Sequence, residues 1–336
     1  MKKLTKLLSL LICAALLFSF AACNSEQTND ETTTQAAVVD NTTVNVAALK
    51  GPTGMGMSGL IKEDGQFKVS IAASPDEIAP LIMKKEADIV ACPLNLASVL
   101  YKKTNGGVKM IAINTLGVLS ILENGETVKS VADLKGKKIG ATGQGATPEY
   151  ILNYILTSNG IDPENDVEIT YYQEHAELAT MLLEGKVDIA MLPEPNVTTV
   201  LAKNPNIRTA LDLTREWARA TAQSGKQTSV AQGCLVVRTE FLDEHPEAVK
   251  AFLKAYRDSV DFTNRKPEEA AEVIASSGII PKAEIALKAI PNCNIVYIDS
   301  DDMLKIAKAN FEVLYNANPA SVGGAMPDDN FYYTEK

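Results

Sequence analysis

Two glycine-containing loops, each between a predicted strand and a predicted helix, are the first places in this sequence where chemistry could occur. Glycine lets backbone N–H groups approach a ligand, and a helix N-terminus favours a negative or partly negative group. We therefore predict ligand contact by both loops. The predicted contact residues are Gly51, Pro52, Thr53, Gly54, Met55, Gln144, Thr147 and Tyr150. A purely steric role for the glycines is the alternative, and Tyr150 could instead pack against its own helix.

Three further polar residues follow predicted strands that stop at a proline. Glu194 lies between Pro193 and Pro195, so its backbone is restrained and its carboxylate could face a cleft and pair with an amine or a ring N–H group. A solvated surface glutamate is the alternative. Asn95 and Asn196 follow equivalent prolines and could hydrogen-bond a small solute at the same edge.

Patterns for catalysis, metal binding or nucleic-acid binding are weak. The chain has two histidines, His175 and His245, and neither stands at a metal-ligand spacing. In Gly56-Met57-Ser58-Gly59 the second glycine comes one place too early for a nucleophile motif. A net charge of −10 argues against a nucleic-acid partner. We predict no enzyme activity, no metal and no cofactor.

Three cysteines follow the N-terminal segment, namely Cys92, Cys234 and Cys293. An odd number without CxxC spacing does not make a complete disulfide framework. We predict that they are buried and behave as small apolar side chains.

The N-terminal segment predicts export. Residues 1–22 combine early lysines with an apolar run and small residues, as in a signal peptide. The residues Phe20-Ala21-Ala22-Cys23 resemble a bacterial lipobox, which implies lipid on Cys23 and an extracytoplasmic protein anchored to the cell membrane. An ordinary secretory signal is the alternative. Residues 23–42 are polar and low in complexity, so we predict a flexible tether.

The remainder of the chain alternates short strands with amphipathic helices, which predicts an α/β fold with mostly parallel sheets. Asp88-Ile89 and Asp188-Ile189 each begin a strand that stops at a proline, at an offset of 100 residues. The elements before each pair also correspond. We therefore predict two lobes of one architecture.

Two apolar runs, residues 110–122 and 232–237, are predicted to be strands that connect the lobes. Two such connections would form a hinge with a cleft between the lobes. We predict lobe one from residues 43–116 plus 245–336 and lobe two from residues 117–244.

Several segments together resemble one family, the substrate-binding lipoproteins of ABC importers in the nitrate, sulfonate, taurine and thiamine-pyrimidine group. Besides the lipobox, they are Gly-Pro-Thr-Gly-Met-Gly at 51–56, Ala-Asp-Ile at 87–89, Ala-Asp-Leu-Lys-Gly-Lys-Lys-Ile-Gly at 132–140, Gln-Gly-Cys-Leu-Val-Val at 232–237 and His-Pro-Glu-Ala-Val at 245–249. The resemblance covers nearly all of the chain after the tether.

The resemblance implies a two-lobed type II periplasmic-binding fold. Such a protein is a monomer that captures a small polar organic solute between its lobes and delivers it to an ABC permease. A ligand-binding sensor module and a same-fold enzyme of the thiamine-pyrimidine type are the alternatives. If Glu194 faces the cleft, its charge would repel an anion, which favours a neutral or cationic nitrogen-containing solute such as a pyrimidine.

Overall fold

The structure is a computed structural model that describes residues 40–225 and 227–334. The predicted signal peptide, Cys23 and most of the predicted tether lie outside the described residues. In the part of the chain that is described, no helix combines the length and the apolar composition needed to cross a membrane.

The strands of the described residues form two sheets. They are β1 (Val44–Leu49), β2 (Phe67–Ala72), β3 (Ile89–Pro93), β4 (Val108–Leu116), β5 (Leu119–Glu123), β6 (Lys138–Thr142), β7 (Glu168–Tyr172), β8 (Ile189–Pro193), β9 (Arg208–Asp212), β10 (Ala231–Arg238) and β11 (Ile295–Ile298). The first sheet has the order β11-β4-β10-β3-β1-β2 and the second the order β7-β6-β8-β5-β9. The central strands are continuously apolar because helices cover both faces of each sheet.

The α-helices lie between and after these strands. They are α1 (Pro52–Met55), α2 (Ser58–Glu63), α3 (Pro75–Met83), α4 (Leu94–Lys103), α5 (Thr147–Ser158), α6 (His175–Leu183), α7 (Asn196–Lys203), α8 (Leu213–Gln223), α9 (Thr239–Glu244), α10 (Pro246–Arg265), α11 (Pro267–Ser276), α12 (Ala283–Ala289) and α13 (Ser300–Ala317). Several begin with proline at the first or second position, where a missing N–H costs nothing. The described residues also contain short 3₁₀ turns at Val131–Leu134, Ile290–Asn292, Pro319–Val322 and Asp329–Phe331.

The two sheets repeat one pairing pattern. In the first sheet β1 pairs in parallel with β2 and β3, and β10 lies antiparallel between β3 and β4. In the second sheet β6 pairs in parallel with β7 and β8, and β5 lies antiparallel between β8 and β9. The predicted α/β fold with two similar halves is confirmed. Each sheet is mixed and not mostly parallel as the sequence predicts, because β10 and β5 pair in the antiparallel direction.

Two connections between the sheets run side by side. Residues 110–122 include most of β4 and most of β5, and the chain passes from one sheet to the other at Gly117 and Val118. The return connection enters β10 just after Val230. A Cβ added to Gly117 would lie 2.4 Å from the Val230 side chain, so the absence of a side chain on Gly117 lets the two connections approach.

The division of the chain between the sheets follows these connections. The first sheet uses strands within residues 44–116, 231–238 and 295–298, and the second uses strands within residues 119–212. Thus β10, which falls inside the predicted range of lobe two, pairs in the first sheet. The exact boundaries of the lobes stay a prediction.

Each sheet has an apolar cluster on either face. In the first sheet Ile89 and Cys92 belong to clusters on opposite faces, because side chains alternate along a strand. In the second sheet Trp217 and Leu182 mark the two clusters in the same way. The helices that bury these faces hold the carboxyl ends of the strands in place.

Candidate functional site

A cavity of about 890 Å³ lies where strands of both sheets end. We call it the cleft. Residues that follow β1, β2, β3, β6 and β7 line it, among them Lys50, Pro52, Thr53, Asp76, Asn95, Gly143, Thr147 and His175, and β8 contributes its last residue, Pro193. The carboxyl edge of an open α/β sheet is where ligands bind, because loops and helix N-termini meet there.

Asn95 and Thr147 meet inside the cleft. Asn95 lies in the first turn of α4, directly after β3, and Thr147 is the first residue of α5. The Thr147 hydroxyl donates a hydrogen bond to Asn95 Oδ1 at 3.1 Å. Thr147 is buried and Asn95 half-buried. This contact joins the N-termini of two helices, one behind each sheet, so both can act on the same ligand group.

The first glycine loop divides between the cleft and the core. Pro52 and Thr53 line the cleft, whereas Met55 is fully buried in an apolar cluster of the first sheet. A Cβ on Gly54 would lie 2.3 Å from the backbone oxygen of Leu49, so this glycine has a steric role. Gly51 adopts a positive φ of 87°, a conformation that glycine permits at little cost.

The second loop also contributes only in part. Gln144 is exposed and does not line the cleft. The Tyr150 side chain packs into an apolar cluster of the first sheet, and its hydroxyl accepts a hydrogen bond from Asn318 Nδ2 at 3.2 Å. Tyr150 therefore connects α5 to the segment after α13. Tyr150 therefore has a packing role, as the alternative interpretation held, but it packs against another part of the chain and not against its own helix.

Glu194 is buried outside the lining of the cleft. Its Oε2 accepts a hydrogen bond from the backbone N–H of Thr198 at 3.0 Å, so the carboxylate serves the start of α7. Burial raises the pKa of Glu194, against the opposing hydrogen bonds from Thr198. Contact between this carboxylate and a ligand stays a prediction, and the structure does not place Glu194 among the residues that line the cleft.

Asn196 lies in a different depression. Together with Pro195 it lines a groove of about 520 Å³ that is bounded on the other side by Ile280 and Ile285. This groove lies between α7 and the region of α12. Of the predicted ligand residues, the cleft therefore collects Pro52, Thr53, Asn95 and Thr147.

The sequence patterns did not predict several residues that line the cleft. The His175 ring is at hydrogen-bond distance from the Thr142 hydroxyl (Nδ1 to Oγ1, 2.7 Å), and burial lowers the pKa of His175, so the ring favours its neutral form. His175 follows β7 at the carboxyl edge of its sheet, so its position after a predicted strand was a usable signal. Gln232 accepts a hydrogen bond from Val118 N–H at 2.7 Å. No local signal marked Gln232, because its place depends on how the two connections pair.

The charges at the cleft are mainly positive. Lys50, Lys84 and Lys103 line it along with Asp76, and all four are exposed. Across residues 40–225 and 227–334, no group of three or more histidine, cysteine or acidic side chains is placed to hold a metal ion. The arrangement can therefore bind a small solute through hydrogen bonds, helix N-termini and weak positive charge.

Sequence comparison places these features in a known family. The profile described as "NMT1/THI5 like" matches residues 76–270. A protein of Brucella abortus (strain 2308), provisionally named as a binding protein, is 24% identical over 209 residues, which cover 62% of this chain and 61% of that protein. The chain thus spans about three fifths of the length of the curated relatives that it first matches. The taurine-binding periplasmic protein of Escherichia coli (strain K12) is 29% identical over 167 residues, 48% of each chain.

A solved structure shares the fold. An ABC transporter protein from Parabacteroides distasonis superimposes with a TM-score of 0.75 at 23% sequence identity, covering 88% of this chain and all of that one. The similarity includes both sheets with their flanking helices, since it extends over most of the described residues.

Proposed function

Since this chain belongs to the NMT1/THI5-like family, we propose that it is the extracytoplasmic solute-binding component of an ABC import system. It captures a small polar organic solute in the cleft and delivers it to a permease in the membrane. The fold shared with the ABC transporter protein of Parabacteroides distasonis and the kinship with a taurine-binding periplasmic protein support this function.

The hydrogen bond between Thr147 and Asn95 is the observation that carries the proposal. It joins the starts of α4 and α5 at one point of the cleft, one helix from each side. A solute at this point contacts both halves at once. Its binding energy then favours the closed arrangement, because a ligand shifts a protein towards the state that it binds better. The paired connections at Gly117 and Val230 would serve as the hinge.

The solute carries a negative or partly negative group in this proposal. Helix N-termini attract such groups, and three lysines against one aspartate line the cleft. A neutral or cationic solute is favoured only if Glu194 acts on it, and Glu194 does not line the cleft, while its Oε2 accepts a hydrogen bond from Thr198 N–H. In this function the chain is a monomer that has no enzyme activity and no nucleic-acid partner, and lipid on Cys23 anchors it to the membrane.

A thermal-shift screen of the purified full chain tests the function. The panel contains taurine, longer sulfonates, nitrate, pyrimidines and amines, since a ligand of the folded state raises the melting temperature. We expect an anionic or zwitterionic compound to raise it, and solution scattering to show a more compact protein with that compound. Turnover of any compound, or unchanged compactness with every compound that binds, would contradict the proposal.

A further inference from the structure

Cys92 and Cys234 lie directly opposite each other on the antiparallel strands β3 and β10. Both side chains are fully buried in the same apolar cluster of the first sheet. We propose that these two cysteines form a disulfide bond in the exported protein. The proposal rests on the extracytoplasmic location given above, because exported compartments are oxidising.

The pairing of the two strands supplies the geometry. The register runs from Gly233 opposite Pro93 to Val237 opposite Ile89 without a bulge, and the cysteines occupy one rung of this ladder. Opposed residues of an antiparallel pair have Cα atoms about 4.5–5.5 Å apart and point to the same face. Disulfides span Cα distances of about 4.4–6.8 Å, so the bond needs no movement of the backbone beyond a small adjustment.

Cys293 is excluded as a partner by the sheet itself. Cys92 and Cys234 belong to the apolar cluster on one face, and Cys293 belongs to the cluster on the opposite face. All three are buried, as predicted, and all three are free thiols in this structure. Cys293 therefore provides an internal control, since it shares the burial of the pair and lacks an opposed cysteine on its face.

Thiol–disulfide exchange with an external disulfide, either a protein or a small-molecule one, would form the bond. One cysteine thiolate attacks the external disulfide and expels one thiol, which leaves a mixed disulfide. The second cysteine then attacks the mixed disulfide at the sulfur of the first cysteine and expels the second external thiol. Two electrons and two protons pass to the external disulfide, which becomes two thiols.

This exchange belongs to folding and not to the finished protein. Burial, with a further contribution from the neighbouring Cys92, raises the pKa of the Cys234 thiol. Thiolate is the reacting species, so the first thiol reacts with the external disulfide before the strands are fully buried, and the pairing of β10 with β3 then brings the second cysteine to it. Once formed, the disulfide is shielded from reductants by the same burial.

The bond would fix the floor of the cleft. Pro93 follows Cys92 and Gly233 precedes Cys234, and both of these neighbours line the cleft. The disulfide therefore ties the end of β3 to the strand that returns from the second sheet. The strand ends would keep their spacing while the two halves move.

Peptide mapping of the full chain, exported by a bacterial host through its own signal, tests the bond. The protein is denatured in an alkylating reagent without reductant and then digested. We expect a cross-linked peptide pair that contains Cys92 and Cys234, and an alkylated Cys293. After reduction, all three should be alkylated. Alkylation of both Cys92 and Cys234 without reductant would overturn the proposal.

Alanine variants give a second measurement. Cys92→Ala, Cys234→Ala and the double variant are each compared with the wild type, before and after reduction in denaturant and refolding with reductant. Reduction should lower the melting temperature of the wild type by roughly 5–10 °C and leave the three variants unchanged. An equal response of wild type and double variant would contradict the disulfide. Solute binding without the cross-link refutes only the disulfide, and a cross-linked protein that binds no compound refutes only the proposed function.

Discussion

The Thr147 hydroxyl donates a hydrogen bond to the Asn95 side chain although 52 residues separate them in sequence. Each residue lies in the first turn of a helix that follows a strand, and the two strands belong to different sheets. The contact therefore marks the point where the two halves meet at the cleft. A ligand group bound here would contact the N-termini of both helices.

Replacing either partner of this contact should weaken solute binding. We expect Asn95→Ala and Thr147→Val each to raise the Kd roughly 10- to 100-fold, because a hydrogen bond to a charged group contributes about 1.5–3 kcal/mol. Titration calorimetry with the compound found in the thermal-shift screen measures the change. Thr157→Val on the same helix is the matched control, since Thr157 is exposed and outside the cleft. Equal losses in all three variants would argue against a role for the contact.

The placement of Glu194 leads to a prediction about pH. Below pH 4.5, its ordinary pKa, the carboxyl group is protonated in the folded and unfolded states alike. As the pH rises further the unfolded chain ionises first, because burial raises the pKa in the folded state, so the charge lowers the free energy of unfolding. We therefore expect the free energy of unfolding of Glu194→Gln, relative to that of the wild type, to be higher near pH 7 than near pH 4. Urea unfolding at the two pH values measures this difference.

The same variant separates a structural role from a binding role. The glutamine amide oxygen can still accept the Thr198 N–H, and the side chain does not line the cleft. Solute affinity should then stay within about twofold, which is about 0.4 kcal/mol. A loss of affinity beyond tenfold in Glu194→Gln would show that the carboxylate does act on the solute.

An ion pair between the half-buried Arg208 and the buried Glu123 connects β5 and β9 of the second sheet. Glu123 is 2% exposed and accepts hydrogen bonds from Thr127, Val128 and Arg208. Burial opposes ionisation, yet these hydrogen bonds and the Arg208 charge hold the pKa of Glu123 below its ordinary value. Arg208→Ala should lower the free energy of unfolding by roughly 2–4 kcal/mol, measured in urea at neutral pH, because Glu123 stays buried without its cation.

The pH dependence of this pair has a definite sign. A lowered pKa stabilises the fold above the ordinary value of 4.5, and that contribution disappears as the pH falls through the folded-state pKa. The cost of Arg208→Ala should therefore shrink in acid. The exposed Arg215 provides the control variant, Arg215→Ala, which should change stability by at most about 0.5 kcal/mol. Equal effects of the two variants would contradict the prediction.

Gly54 should tolerate no side chain. An added Cβ would lie 2.3 Å from the Leu49 backbone oxygen, so Gly54→Ala must displace the short helix α1, which places Thr53 at the cleft. We expect a loss of about 1–3 kcal/mol in urea unfolding. Gly65→Ala is the control, because nothing lies within 4 Å of its added Cβ. A Gly54→Ala protein as stable as Gly65→Ala would show that this helix yields freely.

The repeated architecture could be predicted because residues close together in the sequence determine it. The strand–proline stops at Pro93 and Pro193, the proline-initiated helices and the glycine loops all depend on backbone preferences of neighbouring residues. The family resemblance agreed with them. Even so, the order of strands and the antiparallel placement of β5 and β10 depend on long-range pairing, so the mixed character of the sheets was missed.

The sequence by itself determined the two similar α/β halves and the edge at which their loops gather, since periodicity and turn residues act over a few positions. Only the tertiary structure decided which side chains enter the cleft. It turned Glu194 towards Thr198, packed Tyr150 against another part of the chain, brought His175 and Gln232 to the cleft, and set Cys92 opposite Cys234. Each of these outcomes depends on contacts between residues far apart in sequence, where a shift of one position in strand register reverses the face that a side chain occupies.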